Sequence, residues 1–151
     1  AIGEAKGHIV PSRSNAKPGH AVYVTGTIGD AWAGLQIASG KLRSTDIDTT
    51  ASLLKAHTRP MPKLEEGRIL SNLVSSMMDV SDGLLLDASR IAAASGIKIE
   101  IDYQLLLTAS PETVLSVPLT CVGICRPGEG VSLHSHGERL ELPEHLGFVH
   151  A

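Results

Sequence analysis

The sequence is poor in aromatic residues and has no cluster of basic ones. Two tyrosines, one tryptophan and one phenylalanine are its only aromatic side chains, so aliphatic side chains must fill any core. The 13 lysines and arginines are outnumbered by 16 acidic residues, which gives a formal net charge of −3. Because nucleic-acid-binding surfaces need clustered Lys and Arg, we expect no nucleic-acid partner.

Long apolar runs are also missing. None of them approaches the length of about 20 residues that a membrane-spanning helix needs. The first ten residues include Glu4, Lys6 and His8, whereas a secretory signal peptide has an apolar central region. We therefore expect no membrane partner and predict a cytoplasmic protein.

Cysteine is scarce, with only Cys121 and Cys125 in an apolar run. On a strand, residues four apart share a face but lie too far apart to form a disulfide easily. We favour buried free thiols, since free cysteine is among the most often buried residues. A metal site that includes His134 and His136 is the alternative, although a solvated turn suits those two histidines better.

The length of 151 residues suits one domain. Residues 1–20 are rich in Gly, Pro and Ser and predict a linker, and residues 21–151 predict the domain itself. The predicted helices cover residues 31–37, 45–57, 64–75 and 84–95. The predicted strands cover residues 21–27, 77–80, 97–101, 103–108, 119–125, 131–134 and 139–142. Strands and helices without a strict βαβ alternation indicate an α+β fold, with helices packed on a mixed sheet.

The segment with the clearest chemistry is MDVSDG, residues 78–83, where a predicted strand gives way to a predicted helix. Asp79 and Asp82 flank Ser81 there. A helix N-terminus offers unpaired N–H groups and the positive end of the helix dipole, both of which favour phosphate. Because Mg²⁺ binds one or two carboxylates together with phosphate oxygens, this pattern suits a magnesium–nucleotide complex.

The same three residues also have a purely structural interpretation. Ser81 or Asp82 could cap the helix, a role worth about 1 kcal/mol. Asp79 could accept hydrogen bonds from a loop. On spacing alone this interpretation is favoured, because helix capping is common.

A series of motifs along the chain favours the magnesium–nucleotide site over the purely structural interpretation. They are RSNAKPG (13–19), VYVTGTIGD (22–30), AGL (33–35), RPMP (59–62), MDVSDGL (78–84), DYQLL (102–106) and GF (147–148). In this order they resemble the C-terminal part of the thiamine-monophosphate kinase family. That family belongs to a superfamily with aminoimidazole ribonucleotide synthetase, selenophosphate synthetase and a hydrogenase-maturation protein. The resemblance extends over nearly the whole chain.

The resemblance implies a kinase that uses Mg²⁺ and transfers the γ-phosphoryl group of ATP to thiamine monophosphate, giving thiamine diphosphate. It implies that Asp79 and Asp82 are the catalytic metal ligands. It also implies that Arg13 and Ser81 contact ATP. The aromatic side chain of Phe148 would border the thiamine site, where an aromatic face suits a cationic ring.

The resemblance further implies a longer protein that forms a homodimer. An N-terminal domain would carry most of the metal-binding aspartates, the glycine-rich nucleotide site and the dimer contacts. We also expect a loop to be absent between Ile101 and Asp102, because two predicted strands join there without a turn residue. His20, Gln104 and Phe148 depart from the residues usual in the family, and none of the three is an expected magnesium ligand.

Two other functions stay open on the sequence. One is a different ATP-using member of the superfamily, with another phosphate acceptor. The other is a non-catalytic module that keeps the fold and binds a nucleotide or a partner. Intact Asp79, Ser81 and Asp82 speak against the second.

Overall fold

The computed structural model describes residues 7, 10–43, 45–102 and 119–147 of the chain. These residues divide into two compact units. The smaller unit is Gly26–Leu64, and the larger one combines the described residues up to Thr25 with those from Glu65 onwards.

The larger unit is built on a five-stranded mixed sheet. Its strands are β1 (Ala21–Thr25), β2 (Lys98–Asp102), β3 (Leu119–Arg126), β4 (Gly130–Ser135) and β5 (Glu138–Leu140). Their order across the sheet is β1-β3-β2-β4-β5. The pair β2–β4 is parallel and the other neighbours are antiparallel. Helices with a mixed sheet confirm the predicted α+β class. The strand predicted over residues 103–108 lies outside the described residues.

One face of the sheet forms the core together with helix α4 (Leu84–Ser95). Ile99 and Ile101 are 1% and 3% exposed, and they alternate with polar residues as a strand with one buried face requires. The facing side of α4 carries the small residues Ala88 and Ala92, 5% and 0% exposed. Small side chains let the helix backbone approach the sheet closely.

The boundaries of α4 agree with the sequence prediction. The helix ends at Gly96, which adopts a left-handed conformation with φ of 62°. The N–H groups of Gly96 and Ile97 donate to the carbonyl oxygens of Ala93 and Ala92. This pairing is the usual glycine-dependent helix ending.

Two sequence predictions were wrong, that of a helix over residues 64–75 in its length and that of a strand over residues 77–80 altogether. Helix α3 covers Leu64–Leu70 rather than residues 64–75. Ser71 Oγ donates to the carbonyl oxygen of Arg68, and serine that bonds to nearby backbone favours helix ends. Residues 77–80 form no strand, although Ser76, just before them, pairs with Ser12 in an isolated parallel bridge.

The segment before β1 is tied to the C-terminal end of α4. It contains a one-turn 3-10 helix, Arg13–Asn15. Ser95 Oγ donates to the carbonyl oxygen of Arg13 at 2.7 Å and accepts from the N–H of Ala16 at 3.2 Å. Ala16 is 8% exposed and belongs to the core. That residues 1–20 also link to an N-terminal domain stays a prediction.

The join between Ile101 and Asp102 lies inside β2. Both residues pair with β4, where Ile101 is opposite Leu133 and Asp102 opposite His134. The expected loop would consist of residues that this chain does not contain. Its presence in the whole protein therefore stays a prediction. None of the helices in the described ranges is long and apolar enough to cross a membrane.

The smaller unit is a pair of helices, α1 (Asp30–Ala38) and α2 (Ile47–Thr58). Their backbones come very close at Gly34. A Cβ atom at this position would overlap the carbonyl oxygen of Leu53 and lie 2.8 Å from Cβ of His57. Only glycine permits this approach, and Gly40 after α1 supplies the left-handed ending with φ of 72°.

We predict that Gly34→Ala destabilises the smaller unit by about 1–3 kcal/mol, the usual cost of overpacking. Gly67→Ala is the matched control, because Gly67 lies in α3 with nothing within 4 Å of an added Cβ. The control should be neutral or more stable, since alanine favours helices. Urea unfolding followed by circular dichroism, with hydrogen exchange of the amides in α1 and α2, measures both effects. Equal stability of the two variants would contradict the prediction.

Candidate functional site

The predicted site residues lie in the turn that leads into α4, residues 79–83. Gly83 is the N-cap of α4, with φ of 120° and ψ of 147°, and no side chain caps the helix. The structural interpretation in which Ser81 or Asp82 caps the helix is therefore wrong. A glycine suits this place because a positive φ strains other residues.

The turn is held from inside by Asp87, in the first turn of α4. Its carboxylate is 2% exposed. Its Oδ2 atom accepts the backbone N–H groups of Ser81 at 3.0 Å and Asp82 at 3.1 Å. Such N–H groups would otherwise need water or a cap. Asp87 thereby fixes the backbone that carries Ser81 and Asp82.

Arg90 joins the two carboxylates of this region. Its Nη1 atom lies 2.6 Å from Oδ1 of Asp87, and its Nη2 atom lies 2.7 Å from Oδ2 of Asp82. The hydrogen bond to Asp82 is the largest cause of a raised pKa for the Arg90 guanidinium, and the bond to Asp87 adds to it. Arg90 therefore stays charged and offsets one of the two negative charges.

Asp79 and Ser81 face solvent on the same turn. No hydrogen bond or ion pair of the Asp79 carboxylate occurs within the part of the chain that the structure describes. Asp79 is thus open to a ligand, whereas Asp82 is shared with Arg90. The structure brings Asp79, Ser81 and Asp82 together, as their spacing in the sequence predicts.

The backbone of Arg13 is held at the C-terminal end of α4. Its backbone is bound to Ser95, the last residue of the helix, and a helix of 12 residues is about 18 Å long. Its side chain is exposed and makes no ion pair with any described residue. No hydrogen bond or ion pair joins the Arg13 side chain to Asp79, Ser81 or Asp82 in the described part of the chain.

The C-terminal segment crosses the turn at Gly147. A Cβ atom on Gly147 would overlap the carbonyl oxygen of Asp82 and lie 2.7 Å from Cβ of Leu86. A Cβ atom on Gly83 would lie 3.5 Å from Cα of Gly147. Phe148, the predicted substrate-binding residue, lies outside the described residues but follows Gly147 directly.

The two cysteines are buried free thiols, as predicted. Burial raises the pKa of the Cys125 thiol. His134 pairs through Nε2 with Ser132 Oγ at 3.1 Å. Across residues 10–43, 45–102 and 119–147, no three His, Cys, Asp or Glu side chains are grouped so as to hold a metal ion.

Sequence analysis missed Asp87 and Arg90, although a signal was present. Asp87 interrupts the apolar run with which α4 begins, and it lies on the buried side of the helix, which also carries Ala88. A buried carboxylate needs partners, and Arg90 stands three residues later, where helical side chains meet.

We predict that Asp87→Asn lowers the free energy of unfolding by about 1–3 kcal/mol. The asparagine side chain has one acceptor oxygen in place of two, so either the backbone N–H groups of Ser81 and Asp82 or the Arg90 guanidinium loses its acceptor. Glu65→Gln is the matched control. It breaks the ion pair of Glu65 with Arg68, which has the same spacing but side chains 72% and 64% exposed. Such exposed pairs contribute little. Urea titration measures both variants, and equal losses would refute the role given to Asp87.

Comparison with known proteins places this geometry in a family. Residues 17–130 match the family described as AIR synthase related protein, C-terminal domain. A curated relative, thiamine-monophosphate kinase of Escherichia coli strain K12, is 44% identical over 95 residues, which are 63% of this chain and 29% of the relative.

Solved structures share the fold. One described as AaThiL complexed with AMPPCP and TMP superposes with a TM-score of 0.74 at 24% identity, covering 92% of this chain and 54% of that one. Thiamine monophosphate kinase from Aquifex aeolicus superposes with a TM-score of 0.72 at 25% identity, covering 87% of this chain and 54% of that one.

The chain thus spans about half the length of these solved relatives and less of the curated one. The matched family extends over most of the sheet and over α1 to α4 of the described residues, including the turn of Asp79, Ser81 and Asp82. The chain therefore belongs to the family of AIR synthase related proteins, whose C-terminal domain it carries.

Proposed function

We propose that the protein to which this chain belongs is a magnesium-dependent thiamine-monophosphate kinase. It would transfer the γ-phosphoryl group of ATP to thiamine monophosphate and release thiamine diphosphate. The observation that carries the proposal is the turn of Asp79, Ser81 and Asp82, which has a fixed backbone and a solvent-facing carboxylate. The 44% identical relative of that name supports the choice of substrate.

The residues of the turn fit a bound Mg²⁺ in part. Asp79 offers an exposed carboxylate, and Asp82 offers one that it shares with Arg90. Mg²⁺ is usually held by one or two carboxylates together with substrate phosphates, so further protein ligands would come from outside this chain. When bound, the metal would neutralise charge on the transferring phosphoryl group.

The backbone N–H group of Ser81 would not bind phosphate, although N–H groups at a helix N-terminus often do. Asp87 already accepts the N–H groups of Ser81 and Asp82. These two donors are therefore not available to a phosphate. Contact between Ser81 and the nucleotide would come from its exposed hydroxyl group.

Arg13 would also contact ATP. Its guanidinium is exposed and without an ion pair in the described part of the chain, and a guanidinium suits phosphate oxygens. Its backbone is bound to Ser95 at the C-terminal end of α4. Phe148 would stack on the thiamine ring of the acceptor.

The remaining features of the proposal concern the whole protein. We propose an N-terminal domain that completes the nucleotide site and forms a homodimer, and a cytoplasmic location. A different phosphate acceptor is the alternative, because His20, Gln104 and Phe148 depart from the usual residues of the kinase family.

The deciding experiment is a coupled assay of the full-length protein with ATP and Mg²⁺. Thiamine monophosphate is tested beside thiamine and other phosphate monoesters as acceptors. Formation of thiamine diphosphate that depends on ATP supports the proposal. Turnover with another acceptor alone, or nucleotide binding without any turnover, would replace it by one of the alternatives.

We predict that Asp79→Asn and Asp82→Asn each lower kcat about 100-fold or more, which corresponds to about 3 kcal/mol of lost transition-state stabilisation. Each change removes a negative charge beside the metal and phosphates. Both variants should stay folded, since Asp79 is exposed and the Asp82–Arg90 ion pair is partly exposed. Steady-state kinetics over a range of Mg²⁺ concentrations measures the effect. Either variant turning over near the wild-type rate at saturating Mg²⁺ would remove that residue from the ligands.

We predict that Arg13→Ala raises the KM for ATP about 10-fold and leaves the KM for the acceptor within about 2-fold, since a guanidinium–phosphate contact is worth about 1.5–3 kcal/mol. Arg68→Ala is the control, because Arg68 is also exposed and its ion pair within the described part of the chain is with Glu65. Initial rates with each substrate varied separately give both constants. Unchanged ATP kinetics in Arg13→Ala would mark Arg13 as an ordinary surface residue.

A further inference from the structure

The guanidinium of Arg90 joins a carboxylate of α4 to a carboxylate of the preceding turn. Its Nη1 atom donates to Oδ1 of Asp87 at 2.6 Å, and its Nη2 atom lies 2.7 Å from Oδ2 of Asp82. Long side chains on a helix point back towards its N-terminus. An arginine in the second turn of α4 therefore reaches over the first turn to Asp82. The planar fork of a guanidinium can serve two such acceptors at once.

The two ion pairs of Arg90 lie at different depths. Asp87 is 2% exposed and also accepts the backbone N–H groups of Ser81 and Asp82, so its pair with Arg90 belongs to the interior. The side chains of Asp82 and Arg90 are 20% and 38% exposed, so their pair lies where solvent and ligands have access. Arg90 thus brings a positive charge to the surface of the turn, in addition to its bond with the buried Asp87.

The net charge of the turn depends on Arg90. Asp79, Asp82 and Asp87 contribute three negative charges and Arg90 contributes one positive charge, which leaves −2 over these four side chains. Without Arg90 the same group would carry −3. A nucleoside triphosphate that has bound one Mg²⁺ is still an anion, whereas the bare metal ion is a cation. The two ligands therefore respond to the charge of Arg90 in opposite directions.

The size of this response is large enough to measure. A bare divalent cation is repelled by a guanidinium that already holds an oxygen of Asp82. The phosphates of a metal–nucleotide complex are attracted by the same guanidinium. Two unit charges about 4 Å apart in water interact strongly enough to change an affinity about 5-fold.

We propose that Arg90 is a specificity-determining residue, which makes the turn favour a divalent cation that carries nucleotide phosphates over the same cation alone. This role of Arg90 rests on the proposed function, because it takes the turn to be the place where metal and phosphates bind. Arg90 holds the Asp82 carboxylate and offsets its charge until the nucleotide arrives with its metal ion.

The test measures two affinities in the full-length wild-type protein and in Arg90→Met. Binding of Mn²⁺ alone is followed by electron paramagnetic resonance of the free ion. Binding of a non-hydrolysable ATP analogue at saturating Mg²⁺ is followed by calorimetry. Arg90→Met should bind the bare ion about 3-fold or more tightly and the nucleotide about 5-fold or more weakly. Metal ions bound elsewhere in the protein contribute equally to both proteins, so the difference reports on the turn.

Two further variants serve as controls. Arg90→Lys keeps a positive charge beside Asp82, although a single ammonium cannot hold both carboxylates as a fork does. It should keep both affinities within about 2-fold of the wild type. Arg68→Met should change neither affinity, because Arg68 forms an ion pair of the same spacing with Glu65, in α3.

Arg90→Met leaves the buried Asp87 without its cation and could fail to fold for that reason. In that case the double variant Arg90→Met with Asp87→Asn is compared with Asp87→Asn alone. The double variant removes the buried charge together with its partner. The two affinities should shift in the same opposite directions as above.

Two results would overturn this role of Arg90. One is that removal of Arg90 fails to shift the two affinities in opposite directions, since a loss of both fits a purely structural role. The other is that Arg90→Lys behaves like Arg90→Met, since charge is then not the cause. A wild-type protein that binds no nucleotide with Mg²⁺ refutes the proposed function and this role together. If it binds the nucleotide without phosphorylating thiamine monophosphate, only the acceptor is refuted, and the two affinities still decide.

Discussion

The carboxylate of Asp87 must find partners inside the protein, because an ionised group that is 2% exposed has almost no access to water. It finds them in two backbone N–H groups of the preceding turn and in the Arg90 guanidinium. The shape of the turn follows from this requirement. Ser81 and Asp82 are held by their backbones, which leaves the Ser81 hydroxyl and the Asp79 carboxylate directed to solvent. The backbone shape of the candidate site thus follows from the hydrogen bonds that the buried Asp87 carboxylate requires.

Helix α4 connects that requirement to the rest of the larger unit. Its small residues Ala88 and Ala92 let it lie closely on the sheet, against Ile99 and Ile101. The same helix supplies Asp87 and Arg90 to the turn at its start. Its last residue, Ser95, binds the segment that carries Arg13. The core and the site therefore share one helix, and a change in how α4 packs would move the turn.

The charges of the turn suit the metal and the phosphates of the proposed function. Asp82 and Asp87 share Arg90, and the exposed Asp79 adds a further negative charge. A divalent cation is attracted to such a group, and phosphate oxygens supply ligands that two side chains cannot. The chain covers about half the length of its solved relatives, so the proposed chemistry also depends on parts of the protein outside this chain.

The sequence by itself determined the elements whose signals are local. The apolar spacing and the Ser95–Gly96 ending predicted α4, alternation predicted β2, and the MDVSDG motif brought Asp79, Ser81 and Asp82 together. Tertiary structure decided the rest. Residues 77–80 have strand-like composition but found no partner strand in the described sheet, and Gly147 meets Asp82 across a separation of 65 residues. Periodicity and capping depend on neighbours a few residues apart, whereas a strand or a close backbone contact exists only where packing brings distant segments together.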